Sequence, residues 1–156
     1  MKTFLFFVLA MVFAASVSAA SLETRGSYVS VQNTPSQGMA YGLTYGFSVF
    51  NNTGFVKDIT LGASGTLTML NSNMYDVFLA PMLKVSIPLA YAEFGFGYDI
   101  MRLSGVNSND YAWVIGLGLE GKLTDTTKIA FGFDVKRSIK ADVWTWLVGP
   151  AFTFAL

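Results

Sequence analysis

The sequence predicts an all-β protein, an eight-stranded antiparallel up-and-down transmembrane β-barrel behind an N-terminal signal peptide, and three observations carry that prediction. First, the stretch from Met39 to Phe50 sets Met39, Tyr41, Leu43, Tyr45, Phe47 and Val49 against Ala40, Gly42, Thr44, Gly46 and Ser48. Side chains along a strand alternate between faces, so this is one bulky apolar face backed by a small, weakly polar one. A narrow soluble barrel has little room inside for so many rings, whereas a barrel in lipid turns the large residues outward. Second, the 156-residue chain is 53% apolar and only 13% charged, about half the usual charged share of a soluble domain. Third, no apolar run of roughly 18 residues occurs beyond the N-terminus, so the strands of a closed sheet are the remaining way to cross hydrocarbon with every amide bonded.

The N-terminus reads as an address. Met1 and Lys2 precede an apolar run from Thr3 to Ala15, and Ser16, Ser18, Ala19 and Ala20 supply the small residues of a secretory cleavage site, cut after Ala19 or Ala20. The domain expectation is a signal peptide over 1–20 and one barrel domain over 21–156. No Cys follows the site, so no lipid anchor is expected there.

The strands follow in order. Gly26 to Asn33 alternates loosely, with Val29 and Val31 on one face and Tyr28 and Ser30 on the other. Turn residues 34–38 lead into the second strand, and Asn51 to Gly54 reads as a hairpin turn. Phe55 to Leu70 puts Ile59, Leu61, Ala63, Leu67 and Met69 out and Asp58, Thr60, Gly62, Ser64, Thr66 and Thr68 in. Tyr75 to Ile87 opposes Tyr75, Val77, Leu79, Leu83 and Val85 to Asp76, Phe78, Ala80, Met82, Lys84 and Ser86, and Pro88 marks the turn. The fifth strand sets Phe94, Phe96, Tyr98 and Ile100 against Glu93, Gly95, Gly97 and Asp99. Arg102 to Asp110 reads as the longest connection. Beyond it Tyr111, Trp113, Ile115, Leu117 and Leu119 oppose Ala112, Val114, Gly116, Gly118 and Glu120. Ile129, Phe131, Phe133 and Val135 oppose Ala130, Gly132, Asp134 and Lys136, and Val143 to Leu156 ends the chain with Trp144, Trp146, Val148, Phe152 and Phe154 outward. Tyr41, Tyr75, Tyr111, Trp113, Trp144 and Trp146 all fall near connections at one end, as an aromatic girdle at a headgroup interface does.

With its signal segment, eight alternating strands and a last strand carrying Gly149, Phe152 and Phe154, the chain resembles the small bacterial outer-membrane barrels of the OmpX, OmpA-barrel and OmpW type. The likeness spans residues 21–156 as a pattern. It implies bacterial outer-membrane localisation, a chain starting on the periplasmic side, connections near Ser36, Ser72, Asn107 and Lys140 facing outside, and recognition of the last strand by the barrel-assembly machinery. Ala155 and Leu156 stand where the family usually ends on an aromatic.

Chemistry is confined to the inward face. Alternation places Asp58, Asp76, Lys84, Glu93, Asp99, Glu120, Lys122, Lys128, Asp134 and Lys136 inside, with Lys84 almost opposite Glu93 and Asp58 one strand away. Opposed charges in a narrow lumen neutralise one another, which predicts a plug built around Asp58, Lys84, Glu93, Glu120, Lys122, Asp134 and Lys136. A carboxylate-lined pore is the other reading of those residues. The absence of His and Cys removes imidazole and thiolate chemistry, so neither an enzyme, a cofactor nor a metal is expected. Ten basic and ten acidic residues leave no net positive field, so nucleic acid is not an expected partner.

Gly116, Gly118 and Gly121 match G-x-G-x-x-G, but within an alternating strand they read as lumen space-savers rather than a nucleotide loop. Asn51 to Thr53 matches a glycosylation acceptor that bacterial export leaves idle. Pro81 and Pro150 sit mid-strand on the outward face, where each removes a ladder donor; they predict local bulges or, more sharply, a lateral seam for an apolar molecule. The expected function is a non-enzymatic, monomeric outer-membrane protein serving envelope structure or surface interaction, with Arg102, Arg137 and Lys140 near anionic, lipopolysaccharide-like headgroups. The alternative is a carrier or narrow pore for small hydrophobic compounds.

Overall fold

A computed structural model describes residues 20–32, 37–52, 54–71, 74–103 and 106–156. The signal-peptide segment before Ala20 and the turn residues 33–36, 53, 72–73 and 104–105 lie outside this description. Eight strands form one closed barrel in sequence order: β1 (Ala20–Val31), β2 (Gln37–Asn51), β3 (Asp58–Asn71), β4 (Met74–Ile87), β5 (Ala90–Leu103), β6 (Val106–Lys122), β7 (Thr127–Ser138) and β8 (Val143–Ala155). Every neighbouring pair is antiparallel, and β1 closes on β8 with Ser21 opposite Ala155 and Val31 opposite Thr145. Among the described residues each strand is paired on both sides, as hydrocarbon requires.

The alternation holds around the barrel. Tyr41, Leu79, Ile115, Leu117 and Phe131 are each about half exposed on the outer wall, while Ala40, Phe78, Ala112 and Ala130 on the alternate positions are buried. Strands run from 12 to 17 residues, or about 40–55 Å at roughly 3.3 Å per residue, so even when tilted they outreach the apolar band of about 25 Å. The longest strand, β6, pairs with β5 in a hairpin. There Arg102, Leu103 and Val106 to Asp110 of the expected connection are strand, with Leu103 opposite Val106 and Asp99 opposite Asp110. Arg102 holds this hairpin, its guanidinium donating to the carbonyls of Met101 (2.9 Å) and Ser108 (3.2 Å) and to Asn109 Oδ1 (2.9 Å).

Two other boundaries differ from the sequence reading. β1 starts at Ala20 rather than Gly26, and its inward face is Glu23, Arg25, Ser27, Val29 and Val31. Phe55 to Lys57 form a turn, so β3 begins at Asp58.

The prolines also differ from the bulge expected by default. Across β4–β5 the ladder pairs Leu79 with Tyr98 and resumes with Met82 opposite Gly95; across β1–β8 it pairs Arg25 with Ala151 and resumes with Tyr28 opposite Val148. The register is the same on both sides of each gap, so no residue is inserted. Each proline interrupts the ladder without shifting it, and the two gaps lie on opposite sides of the barrel, four strands apart. The register shift within β2–β3 lies instead between Ser48 and Phe50.

The lumen is filled unevenly. Near the ends that carry the aromatic girdle, Val29, Val31, Ala40, Leu70, Met101, Leu103 and Leu147 form an apolar cap. At the opposite end a vestibule of about 550 Å³ is lined by Ser48, Asp58, Lys84, Glu120, Lys122, Lys128 and Thr153, among others. Between cap and vestibule lie the charges.

Candidate functional site: the charged lumen

Arg25 is the centre of the lower charged layer. Its Nη1 donates to Glu93 Oε1 (2.6 Å) and to Asp134, and its Nη2 donates to Glu23 Oε1 (2.8 Å) and Tyr91 Oη (3.2 Å). A planar fork with five donors suits this multiple engagement; a lysine in its place would offer one point charge. Lys84 joins the same layer from β4, at 2.9 Å from Glu23 Oε2 and 3.2 Å from Glu120 Oε2, and Lys128 reaches Glu120 at 3.8 Å. Except for Lys128, every one of these side chains is at most 14% exposed.

Tyr91 fixes the geometry of the layer. Lys84 Nζ lies 4.1 Å from the centre of its ring, and the Arg25 guanidinium 5.8 Å. The ring lies against β6 and β7 because those strands offer glycine there: a Cβ on Gly118 would come within 2.5 Å of Tyr91 Cε1, and one on Gly132 would collide with the Tyr91 hydroxyl. Gly116 makes the same allowance for Glu93, whose Cγ would be 2.7 Å from an added Cβ. Two glycines of the G-x-G-x-x-G match therefore save lumen space. Gly121, with nothing within 4 Å of an added Cβ, does not.

Glu93, Glu120 and Asp134 lie in the Arg25 layer with Lys84. Lys84 is the register partner of Glu93, yet its ion pairs go to Glu23 and Glu120 because Arg25 occupies Glu93. Lys136 stands in a separate upper layer, donating to Asp76 and, at 2.8 Å, to Asp99. Asp58 accepts from the hydroxyls of Ser48 and Thr60 (2.8 Å to the latter) at the vestibule edge. Lys122 is exposed at the vestibule mouth, because β6 has left the enclosed part of the barrel there. Sequence reasoning missed Arg25, Glu23 and Tyr91.

On the outer wall Tyr41, Tyr75, Tyr111 and Trp146 are 41–55% exposed. Trp113 and Trp144 cover each other edge to face, 5.4 Å between centroids at 89°. Arg137 joins this group. It lies between Trp113 and Trp144 in register, 5.1 Å from the Trp144 ring, and donates to Asp142 Oδ1 at 3.0 and 2.8 Å. Pro81 and Pro150 are both exposed on the same wall.

The architecture is that of a small transmembrane barrel, and solved structures agree. No protein-family model matches the sequence, and no curated protein matches it either. The N-terminal β-barrel domain of Pseudomonas aeruginosa OprF superposes with a TM-score of 0.56 at 15% identity, covering 88% of this chain and 98% of that one. Neisserial surface protein A superposes with a TM-score of 0.59 at 9% identity, covering 88% and 96%. The chain thus has the fold of the small eight-stranded outer-membrane barrels, as the sequence pattern predicted.

Proposed function

We propose that the protein is a non-enzymatic integral outer-membrane barrel that serves envelope structure or surface interaction, with its lumen closed to solutes. The observation that carries this reading is the Arg25 layer, where one guanidinium joins acids from three strands across the barrel axis beneath an apolar cap. In planar bilayers the refolded barrel is expected to give no steady single-channel steps. Sizeable, reproducible steps overturn the plug.

The girdle fixes the depth of the barrel in lipid, and Arg137 within it supports contact with anionic, lipopolysaccharide-like headgroups; Lys140, exposed in the adjoining turn, adds charge. Arg102 is spent on its hairpin. Arg137→Gln is expected to lower the unfolding midpoint in anionic lipid and to leave it unchanged in neutral detergent. An equal change in both would tie Arg137 to Asp142 alone. The final strand, with Gly149, Phe152 and Phe154, supports recognition by the barrel-assembly machinery, and the monomer remains our reading of the assembly.

A second reading, a carrier for small hydrophobic compounds, is favoured by the two in-register ladder gaps. Behind Pro81 the lumen wall is apolar, formed by Phe78, Ala80, Ala112 and Val114 with Met82. Pro81→Val restores a ladder donor and is expected to reduce binding of an apolar fluorescent probe to the barrel. Unchanged binding leaves the gap structural.

A further inference from the structure

The upper charged layer is incomplete in two respects that coincide. Lys136, Asp76 and Asp99 have side-chain exposures of 5%, 3% and 0%, so one ammonium faces two carboxylates and one negative charge is left over. Lys136 takes Asp76 Oδ2 and Asp99 Oδ1, while Asp76 Oδ1 and Asp99 Oδ2, also buried, have no donor. Two hydroxyls in the same part of the lumen are equally without a partner: Ser138 Oγ and Thr145 Oγ1, on residues 0% and 1% exposed. Thr145 is the register partner of Lys136 across β7–β8, and Ser138 is the next lumen-facing residue along β7. Buried polar atoms are almost always paired, and an uncompensated buried charge costs several kcal/mol. The missing charge and the four unfilled oxygens call for the same thing.

We propose that Asp76, Asp99, Ser138 and Thr145 form a buried site for one monovalent cation, a proton or an alkali-metal ion. The charge count sets the valence, because one of the two carboxylates is already offset by Lys136 and a divalent ion would leave an excess of positive charge. Oxygen donors of the carboxylate and hydroxyl type suit a hard cation. The Phe78 ring, 5.6 Å from Lys136 Nζ, lends its face to positive charge at the same level.

On the vestibule side of this layer the lumen is not packed solid. A cavity of about 40 Å³, lined by Thr66, Thr68, Asp134 and Lys136, shares Thr44, Met82 and Glu93 with the vestibule. A volume of that size holds a few waters. The other side is closed by the cap. The charged groups on neighbouring elements are Arg25, Glu93 and Asp134, which bond to one another in the layer below, and Asp110 of β6, which accepts from the Lys140 backbone N–H.

The test is the unfolding midpoint of the refolded barrel in neutral detergent, read as loss of compact gel migration, in sodium, potassium and choline chloride at equal ionic strength from pH 5 to 9. An alkali-metal ion predicts a midpoint several degrees higher in sodium or potassium than in choline, a difference lost in Asp99→Asn. A proton predicts equal midpoints in the three salts and a rise toward low pH that Asp99→Asn removes. Should Asp99→Asn not refold, Asp76→Asn, which leaves Lys136 one carboxylate, is read in the same way. Salt and pH responses identical in wild type and variant overturn the site.

Discussion

Arg25→Met is expected to lower the unfolding free energy of the barrel by about 3–5 kcal/mol, the cost of leaving buried charges without their partner. The substitution keeps an unbranched side chain of somewhat shorter reach but leaves Glu23, Glu93 and Asp134 facing one another, with Lys84 as the remaining nearby cation. Arg25→Lys is expected to fall between wild type and Met, since an ammonium cannot reach acids on three strands at once. Combining Arg25→Met with Glu93→Gln and Asp134→Asn should recover much of the loss, because polar neutral groups of like shape remove the repulsion. Urea titration of the refolded proteins in lipid vesicles measures all three. A loss for Arg25→Met below about 1 kcal/mol would mean that water screens the layer and that the lumen is open, contrary to the plug.

The second large effect is expected at the closing seam. A Cβ on Gly149 would collide with the Gly26 carbonyl oxygen and lie 2.8 Å from Ser27 Cα. Both obstacles are backbone, so β1 and β8 would have to move apart where the ladder already skips from Arg25–Ala151 to Tyr28–Val148. Gly149→Ala should therefore cost about 3 kcal/mol or more, at the upper end of overpacking effects, and should slow the appearance of the compact band on refolding. Gly121→Ala serves as the comparison. It adds the same atom into open space and should change stability by less than about 0.5 kcal/mol.

The contrast between those two glycines also marks what the sequence could reveal. Lipid demands strict alternation, so wherever a strand crosses hydrocarbon its facing is written in its residues. Leu117 and Gly118, or Phe133 and Asp134, can be assigned without coordinates. Outside the hydrocarbon that demand lapses. Arg102, Leu103 and Val106 to Asp110 therefore looked like parts of a connection although they are paired strand, held by Arg102.

The charged layer was legible only in part, for a related reason. Glu93, Glu120, Asp134 and Lys136 stand out because each interrupts a clear inward row of small residues. Arg25 and Glu23 do not. They fall in a polar stretch just after the small residues of the cleavage site, and the same inward face continues into Val29 and Val31, which reverses the usual contrast. The partners of Arg25 are 68 residues away at Glu93 and 109 away at Asp134, a distance that only barrel closure spans. Tyr91 was hidden by its closeness to the Pro88 turn, and its role depends on Gly118 and Gly132 on two other strands.

The roles of the charged lumen and of the aromatic girdle both depend on which wall faces lipid. Cysteines placed singly at Thr60, which lines the vestibule, and at Leu61, its outward neighbour on β3, test this most directly. In vesicles carrying the refolded barrel, a fluorophore at position 61 is predicted to be quenched by nitroxide-bearing lipid, and a thiol at position 60 to react with a small water-soluble reagent. Quenching at 60 with aqueous reaction at 61 would contradict the barrel's orientation and everything inferred from its interior.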